Sequence, residues 1–335
     1  MIIEGKPKSN GEEGKDVKNF LITGSSGFVG TYFIELLNGI KEKVNIFCVD
    51  ITENGFNAKS FNNGRIEFSK VDLLNNNKVK EIILKFHPDY ILHLASFSSV
   101  AFSWSNPVLG FNNNTNIFLN LIEAVRETGI KCRILSVGSS EEYGRVKEAD
   151  IPICESVTVN PISPYAVARV SQELLSKVYV SGYGLDIVMT RSFNHFGPLQ
   201  KEIFAIPSFV KQIVKIKKEG KSKGVLRVGD VDIVRDFLDV RDVVKAYYLL
   251  MLNGRTGGIY NVCGGKGISL RKIIQCIANY LKIKVELTIE QSLVRPNDNP
   301  IILGKNEKIR EELGWSPEIS LEKSIADICD YWMNK

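Results

Sequence analysis

The chain reads as an α/β protein in which a doubly wound parallel sheet is joined to a smaller C-terminal α/β lobe. Three observations predict it. Short apolar runs alternate with segments of helical spacing, a glycine-rich turn separates the first run from the first helix, and the texture changes after about residue 193. Alternating strands and helices bury both faces of a parallel sheet, which is why the runs read as nearly continuous hydrophobic stretches.

Residues 1–18 contain Gly, Lys and Glu but no apolar stretch like that of a secretory signal, and they read as a flexible leader. The first strand is "NFLIT", followed by the turn "GSSGFVG" and the helix "TYFIELLNGI". "VNIFCVD", "IEFSKVDL", "DYILHLA" and "CRILSVG" follow as strands, with "NNKVKEIILKF" and "NIFLNLIEAVRETG" as crossover helices. A long amphipathic helix, "PYAVARVSQELLSKVYVSGY", leads into the strand "LDIVMTRS" and completes a first domain over 19–192. The remainder, 193–335, reads mainly as the second lobe, with some segments returning to the first domain. Its elements are the helices "IPSFVKQIVKIKKEG" and "RDVVKAYYLLML", the strands "GVLRVGD" and "GIYNVCG", and a mixed tail. In an open α/β sheet a ligand binds beyond the carboxyl ends of the strands, which places it between the lobes.

Composition narrows the function classes. The 43 basic and 38 acidic residues leave a net charge of +5 with no run of like charge, so no stripe for nucleic acid or a membrane surface is present. No apolar run approaches 18 residues. The six cysteines lie far apart without a C-x-x-C pair, as in a cytoplasmic protein with reduced thiols, and the three histidines suggest no metal cluster.

Gly24, Gly27 and Gly30 sit between a strand and a helix, so the backbone can turn tightly and approach a pyrophosphate at the helix N-terminus. Asp50 ends the second strand, where a carboxylate can accept from ribose hydroxyls and would repel a 2′-phosphate. That favours NAD(H), with NADP(H) as the alternative, on a Rossmann-like fold; Asp50 as a simple turn residue is the competing reading. Asp72 closes the third strand as an adenine contact or a turn starter. "VGSSEEYG" brings Ser139, Ser140 and Glu141 to a strand's C-terminal edge, where hydroxyls can hold a carbonyl oxygen and a carboxylate can act as a base; it also reads as a polar loop. Tyr165 and Arg169 stand four apart on one helical face. A cation there favours phenolate, although such a pair is also common on exposed helices.

The ordered set "TGSSGFVG", "GSSEEYG", "SPYAVAR", "TRSFNHFGPLQ", "RDFLDVRDVVKAY", "GIYNVCGG" and "LVRPND" with "LGW" resembles the nucleotide-sugar branch of the extended short-chain dehydrogenase/reductase superfamily. Within it the chain looks most like the GDP-6-deoxy-4-keto-mannose reductases, with the GDP-mannose 4,6-dehydratases as near relatives. The resemblance implies Tyr165 as the proton donor or acceptor at a sugar O4, with Ser139 and Ser140 at the C4 carbonyl. It places Glu141 where the dehydratases keep an acid/base carboxylate and assigns Asn114 to the geometry around the site. It implies cofactor contacts from Ser26, Phe28 and Val29 in the glycine turn, from Asp72 and Leu73, and from Leu94, Ala95 and Ser96, as well as from Tyr165 and Arg169. Asn194, Arg235 and Arg295 match positions that face the nucleotide diphosphate, and arginine forks suit such oxygens.

The resemblance further implies reduction of the C4 keto group of a GDP-4-keto-6-deoxy-mannose, with 4,6-dehydration of a GDP-sugar or a non-catalytic nucleotide-binding role as alternatives. It also implies pairing through the Tyr165 helix into a homodimer or homotetramer. One departure stands out: the family pattern is Tyr-x-x-x-Lys, and this chain has Arg169. A flat guanidinium is not interchangeable with an ammonium, so cofactor binding is expected to survive the exchange better than turnover.

Overall fold

The computed structural model describes residues 17–52, 60–294 and 299–335. In chain order these form β1 (Lys18–Thr23), α1 (Phe28–Gly39), β2 (Val44–Asp50), β3 (Gly64–Lys70), α2 (Asn76–Phe86), β4 (Tyr90–His93), α3 (Val100–Ser105), α4 (Pro107–Thr128) and β5 (Arg133–Ser139). Then come α5 (Pro164–Tyr183), β6 (Asp186–Ser192), β7 (Asn194–Phe196), α6 (Ala205–Lys218), β8 (Lys223–Val228), β9 (Val234–Asp239) and α7 (Val240–Asn253). The chain ends with β10 (Ile259–Val262), β11 (Gly267–Ser269), α8 (Leu270–Leu281), β12 (Lys284–Ile289), β13 (Ile301–Ile302), α9 (Glu307–Leu313) and α10 (Leu321–Asn334).

The seven-stranded sheet has the order β10-β6-β5-β4-β1-β2-β3, and all its ladders are parallel. Its strands are apolar because both faces are covered: six of the seven residues of β6 are fully buried. On one face Phe33, Ile34 and Leu37 of α1 pack with Val243, Val244 and Tyr247 of α7. On the other, Ile82 and Ile83 of α2, Phe118, Leu121 and Ile122 of α4, and Tyr179 of α5 form a second core. Strand order reverses between β1 and β4, so the sheet has its crevice beyond the carboxyl ends of those two strands.

The second lobe packs α6, α8 and α10 around Ile206, Phe209, Ile273, Ile277, Ile328 and Trp332. Its strands form two small sheets, β11-β9-β13 with β7 beside β9, and the parallel pair β12-β8. From the C-terminal half, α7, β10 and α9 contribute Tyr247, Tyr260, Val262 and Ile309 to the first core.

The predicted leader is one residue too long at its inner edge, since Lys18 already pairs with Val44; residues 1–16 lie outside the described residues. None of the described helices is long and apolar enough to cross a membrane.

Candidate active site

The glycine turn is built as its spacing demands. Gly24 adopts φ +70, and a side-chain carbon there would lie 2.7 Å from the Ala95 nitrogen, so only glycine lets β1 and β4 approach at this turn. A carbon on Gly30 would meet the Ser25 carbonyl oxygen at 2.6 Å. Gly27 caps α1 with no side-chain hydrogen bond and no acidic residue follows in the first turn, leaving the helix N–H groups for an anion. The Ser26 hydroxyl is buried beside them without a partner among the described residues. Asp50 orders this turn, accepting the Ser26 N–H at 3.0 Å through Oδ2 and the Thr52 N–H and hydroxyl at 3.0 and 2.9 Å through Oδ1.

Phe28 stacks on His195, 6.2 Å between ring centroids, so the start of α1 touches the β7 turn of the second lobe. Val29 is half-buried beside it and packs on the first core. His195 faces the Phe193 carbonyl at 3.0 Å, and burial pushes its pKa down, in keeping with a packing residue. Leu73 is buried in the second core, and Asp72 accepts the Leu74 N–H at 2.9 Å, so it starts the turn at the end of β3. Leu94, Ala95 and Ser96 leave β4 half-buried at its carboxyl end. This combination of an uncapped helix N-terminus, an orphan hydroxyl and an acid at the second strand fits a dinucleotide.

Tyr165 and Arg169 meet at the sheet's edge. α5 begins at the Ser163 cap, whose hydroxyl accepts the Ala166 N–H at 3.2 Å, with Pro164 pre-set in the first turn. The Tyr165 N–H is tied to the Ser103 hydroxyl at 3.1 Å. Arg169 Nε donates to the Tyr165 hydroxyl at 3.2 Å, with its guanidinium carbon 5.3 Å from the ring centroid. Both side chains are buried, at 5% exposure for Arg169 and 7% for Tyr165.

The arginine is seated by three further bonds. Nη1 donates to the Val137 carbonyl at 3.0 Å and to Gln172 Oε1 at 2.7 Å, and Nη2 donates to Ser96 Oγ at 2.5 Å. Four of the five N–H donors of a guanidinium are thus engaged, and one on Nη2 has no partner among the described residues. Gln172 is itself anchored, donating to the Ser136 hydroxyl at 2.8 Å. The departure from lysine therefore comes with a dedicated set of partners on α5, β5 and the end of β4.

Ser139 ends β5 two residues beyond Val137, the strand residue that Arg169 holds. It caps a short 3-10 turn, Ser140–Tyr143, and its hydroxyl accepts the Glu141 N–H at 3.2 Å. Ser140 is buried and Glu141 half-buried in that turn. Asn114 clamps the segment after β4, with Oδ1 accepting the Phe97 N–H at 2.8 Å and Nδ2 donating to its carbonyl at 3.1 Å. Asn194 opens β7 half-buried, while Arg235 on β9 is 8% exposed and donates to the Val234 carbonyl at 2.8 Å. Arg295 lies outside the described residues.

Two groups escaped the sequence reading. Gln172 was legible in principle, because Tyr165, Arg169, Gln172 and Ser176 follow helical spacing and form a polar stripe on a buried face. The second is the buried cluster of Glu142, Glu173 and Arg191, whose members are assembled only by the register of β5 with β6.

A family model described as GDP-mannose 4,6 dehydratase matches residues 21–328. A GDP-6-deoxy-D-mannose reductase from Pseudomonas aeruginosa is 34% identical over 248 residues, covering 74% of this chain and 81% of the relative. A GDP-mannose 4,6-dehydratase from Yersinia enterocolitica is 26% identical over 350 residues, covering 93% of each chain. Among solved structures, RMD from Pseudomonas aeruginosa complexed with NADPH is similar with a TM-score of 0.83 and 29% identity, covering 95% of this chain and 99% of that one.

Proposed function

The chain belongs to the GDP-mannose 4,6-dehydratase family, and from that premise we propose that it reduces the C4 keto group of GDP-4-keto-6-deoxy-mannose, or a close GDP-sugar, to the 4-hydroxyl. The observation that carries this reading is the buried Tyr165–Arg169 pair joined through Val137 to the strand that ends in Ser139. When bound, the reduced nicotinamide supplies the hydride for C4. Ser139 donates its hydroxyl to O4 and orients the carbonyl, and Tyr165 gives its phenolic proton to the oxygen as charge develops there. Arg169 holds the phenol at the reaction edge, and its remaining Nη2 donor would serve a hydroxyl of the cofactor ribose. Asn194, Arg235 and Arg295 are assigned to the sugar nucleotide's diphosphate.

Asp50 supports NAD(H), although its carboxylate is already engaged by Ser26 and Thr52. The six free thiols agree with a cytoplasmic enzyme. We assign a homodimer, with a tetramer as its doubled form, from the apolar side chains that α4 and α5 expose: Val108, Leu109 and Phe111, and Val167, Leu174 and Val178.

A second reading, 4,6-dehydration, draws on Glu141, which follows Ser140 in the turn at the end of β5. Product analysis separates the two. Under the reductase reading, GDP-4-keto-6-deoxy-mannose plus NADH or NADPH yields the 4-hydroxy sugar and GDP-mannose alone yields nothing. Formation of a 4-keto sugar from GDP-mannose without added reductant overturns it.

A further inference from the structure

Behind Ser139 lies a buried group of charges that this reading has not used. Glu142 is fully buried; its Oε1 accepts the Ser139 N–H at 2.7 Å, while its Oε2 has no hydrogen-bond partner among the described residues and lies 3.9 Å from Arg191 Nε. Arg191 is committed elsewhere: Nε and Nη2 grip both oxygens of Glu173 at 2.8 and 2.9 Å, Nη1 donates to the Glu155 carbonyl at 3.2 Å, and the guanidinium lies over the Tyr143 ring at 4.7 Å. Lys177 adds a bond to Glu173 at 2.7 Å from a half-exposed position.

The arrangement is built in. A side-chain carbon on Gly138 would lie 2.3 Å from Glu142 Oε1, so the glycine before Ser139 makes room for this carboxyl. Gly138 pairs with Arg191 across the sheet, which sets the carboxyl beside the guanidinium.

We propose that Glu142 is a positioning residue for the keto reduction: as a neutral, protonated carboxyl wedged between the Ser139 N–H and the Glu173–Arg191 pair, it holds the Ser139 hydroxyl at the edge of the sheet. A second full charge in this dry space would face Glu173 with Arg191 already bidentate, so ionisation strains the turn that carries Ser139. Burial, and then the neighbouring Glu173, push the Glu142 pKa well above the ordinary carboxylate range, whereas the Ser139 N–H and Arg191 pull it the other way. The fold thus favours the protonated form, and stability is lost as pH rises from the ordinary carboxylate range through the raised value.

This inference rests on the reductase reading, and its test has one arm that needs no substrate. Thermal unfolding of the whole protein is followed from pH 5 to pH 9 for the parent and for Glu142→Gln, which keeps a neutral acceptor for Ser139 but cannot ionise. The gap in favour of the glutamine variant should widen by several degrees across that range; parallel curves overturn the proposal whatever the substrate is. The second arm is turnover. Glu142→Leu should lower kcat roughly 10- to 100-fold, the effect of displacing a reacting group by about 1 Å, with cofactor KM changed less than about twofold. Glu142→Gln should recover most of that loss, and its kcat relative to the parent should rise between pH 7 and pH 9. A glutamine variant as slow as the leucine variant at every pH refutes the positioning role.

Discussion

Replacing Arg169 by lysine gives the Tyr-x-x-x-Lys pattern that the family resemblance implies, and the structure predicts harm instead of repair. The guanidinium supplies four hydrogen bonds within a buried site, to Tyr165, Val137, Gln172 and Ser96. An ammonium carries three donors on a shorter fork, so at least one of these acceptors is left unpaired. Each buried acceptor without a donor costs about 1–3 kcal/mol, and Gln172 Oε1 is the vulnerable one, because the Val137 carbonyl keeps a second donor in Gln172 Nε2 at 3.2 Å. For a chain of 335 residues that corresponds to a fall in Tm of roughly 1–4 °C. The phenol also loses its Nε contact, and a shift of about 1 Å at a reacting centre costs on the order of 100-fold in rate. Arg169→Lys should therefore lower kcat/KM roughly 10- to 100-fold, and Gln172→Leu in the same background should recover part of the stability by removing the unpaired amide. The assay is steady-state reduction with NADH or NADPH beside a thermal melt. A lysine variant that melts higher and turns over faster than the parent would refute the claim that the guanidinium is seated by design.

Other outcomes follow from the same geometry. Gly24→Ala forces a side chain into the left-handed region and against Ala95 at 2.7 Å, a strain of order 1–3 kcal/mol before the clash is counted; calorimetric titration should show cofactor affinity falling at least tenfold. Asp50→Ser removes the carboxylate that would repel a 2′-phosphate, so the ratio of kcat/KM for NADPH over NADH should rise about tenfold, and an unchanged ratio would mean the ribose lies elsewhere. Burial pushes the His93 pKa down to about 3 from an ordinary 6.5, so it folds neutral beside the Thr23 hydroxyl. Unfolding restores the ordinary value, so as pH drops below 6.5 the unfolded chain binds the extra proton and stability falls by up to about 1.4 kcal/mol per pH unit. His93→Gln should flatten the acid limb of the stability curve between pH 6 and pH 4 by about one proton's worth.

What could be read in the chain was local. The glycine turn announces itself because Gly24 and Gly30 are demanded by backbone approach within a few residues of each other, and α5 because Ser163, Pro164 and Gly184 mark its ends. The pairing of Tyr165 with Arg169 is a matter of helical period. The seat of Arg169 was not legible to the same degree, since Ser96 lies 73 residues away and the Val137 carbonyl carries no sequence signature. Glu142 was invisible for a related reason: "SSEEYG" offers two adjacent acids, and only the turn decides that the second points into the core beneath Gly138. Its partners Glu173 and Arg191 come from a helix and a strand whose register no pattern in the sequence specifies. A bare exchange of ammonium for guanidinium at residue 169 leaves out the Gln172, Ser96 and Val137 atoms that receive the arginine.

The central claim is that Tyr165, held by the Arg169 that also bonds Val137 on the strand ending in Ser139, donates the proton in a nicotinamide-dependent keto reduction. Single-turnover consumption of NADH or NADPH by GDP-4-keto-6-deoxy-mannose, compared between the parent and Tyr165→Phe, tests it most directly. The account predicts a burst of oxidation in the parent, a loss of at least 100-fold in the variant, and cofactor binding retained in both. Hydride transfer that proceeds at the parental rate in Tyr165→Phe would contradict it.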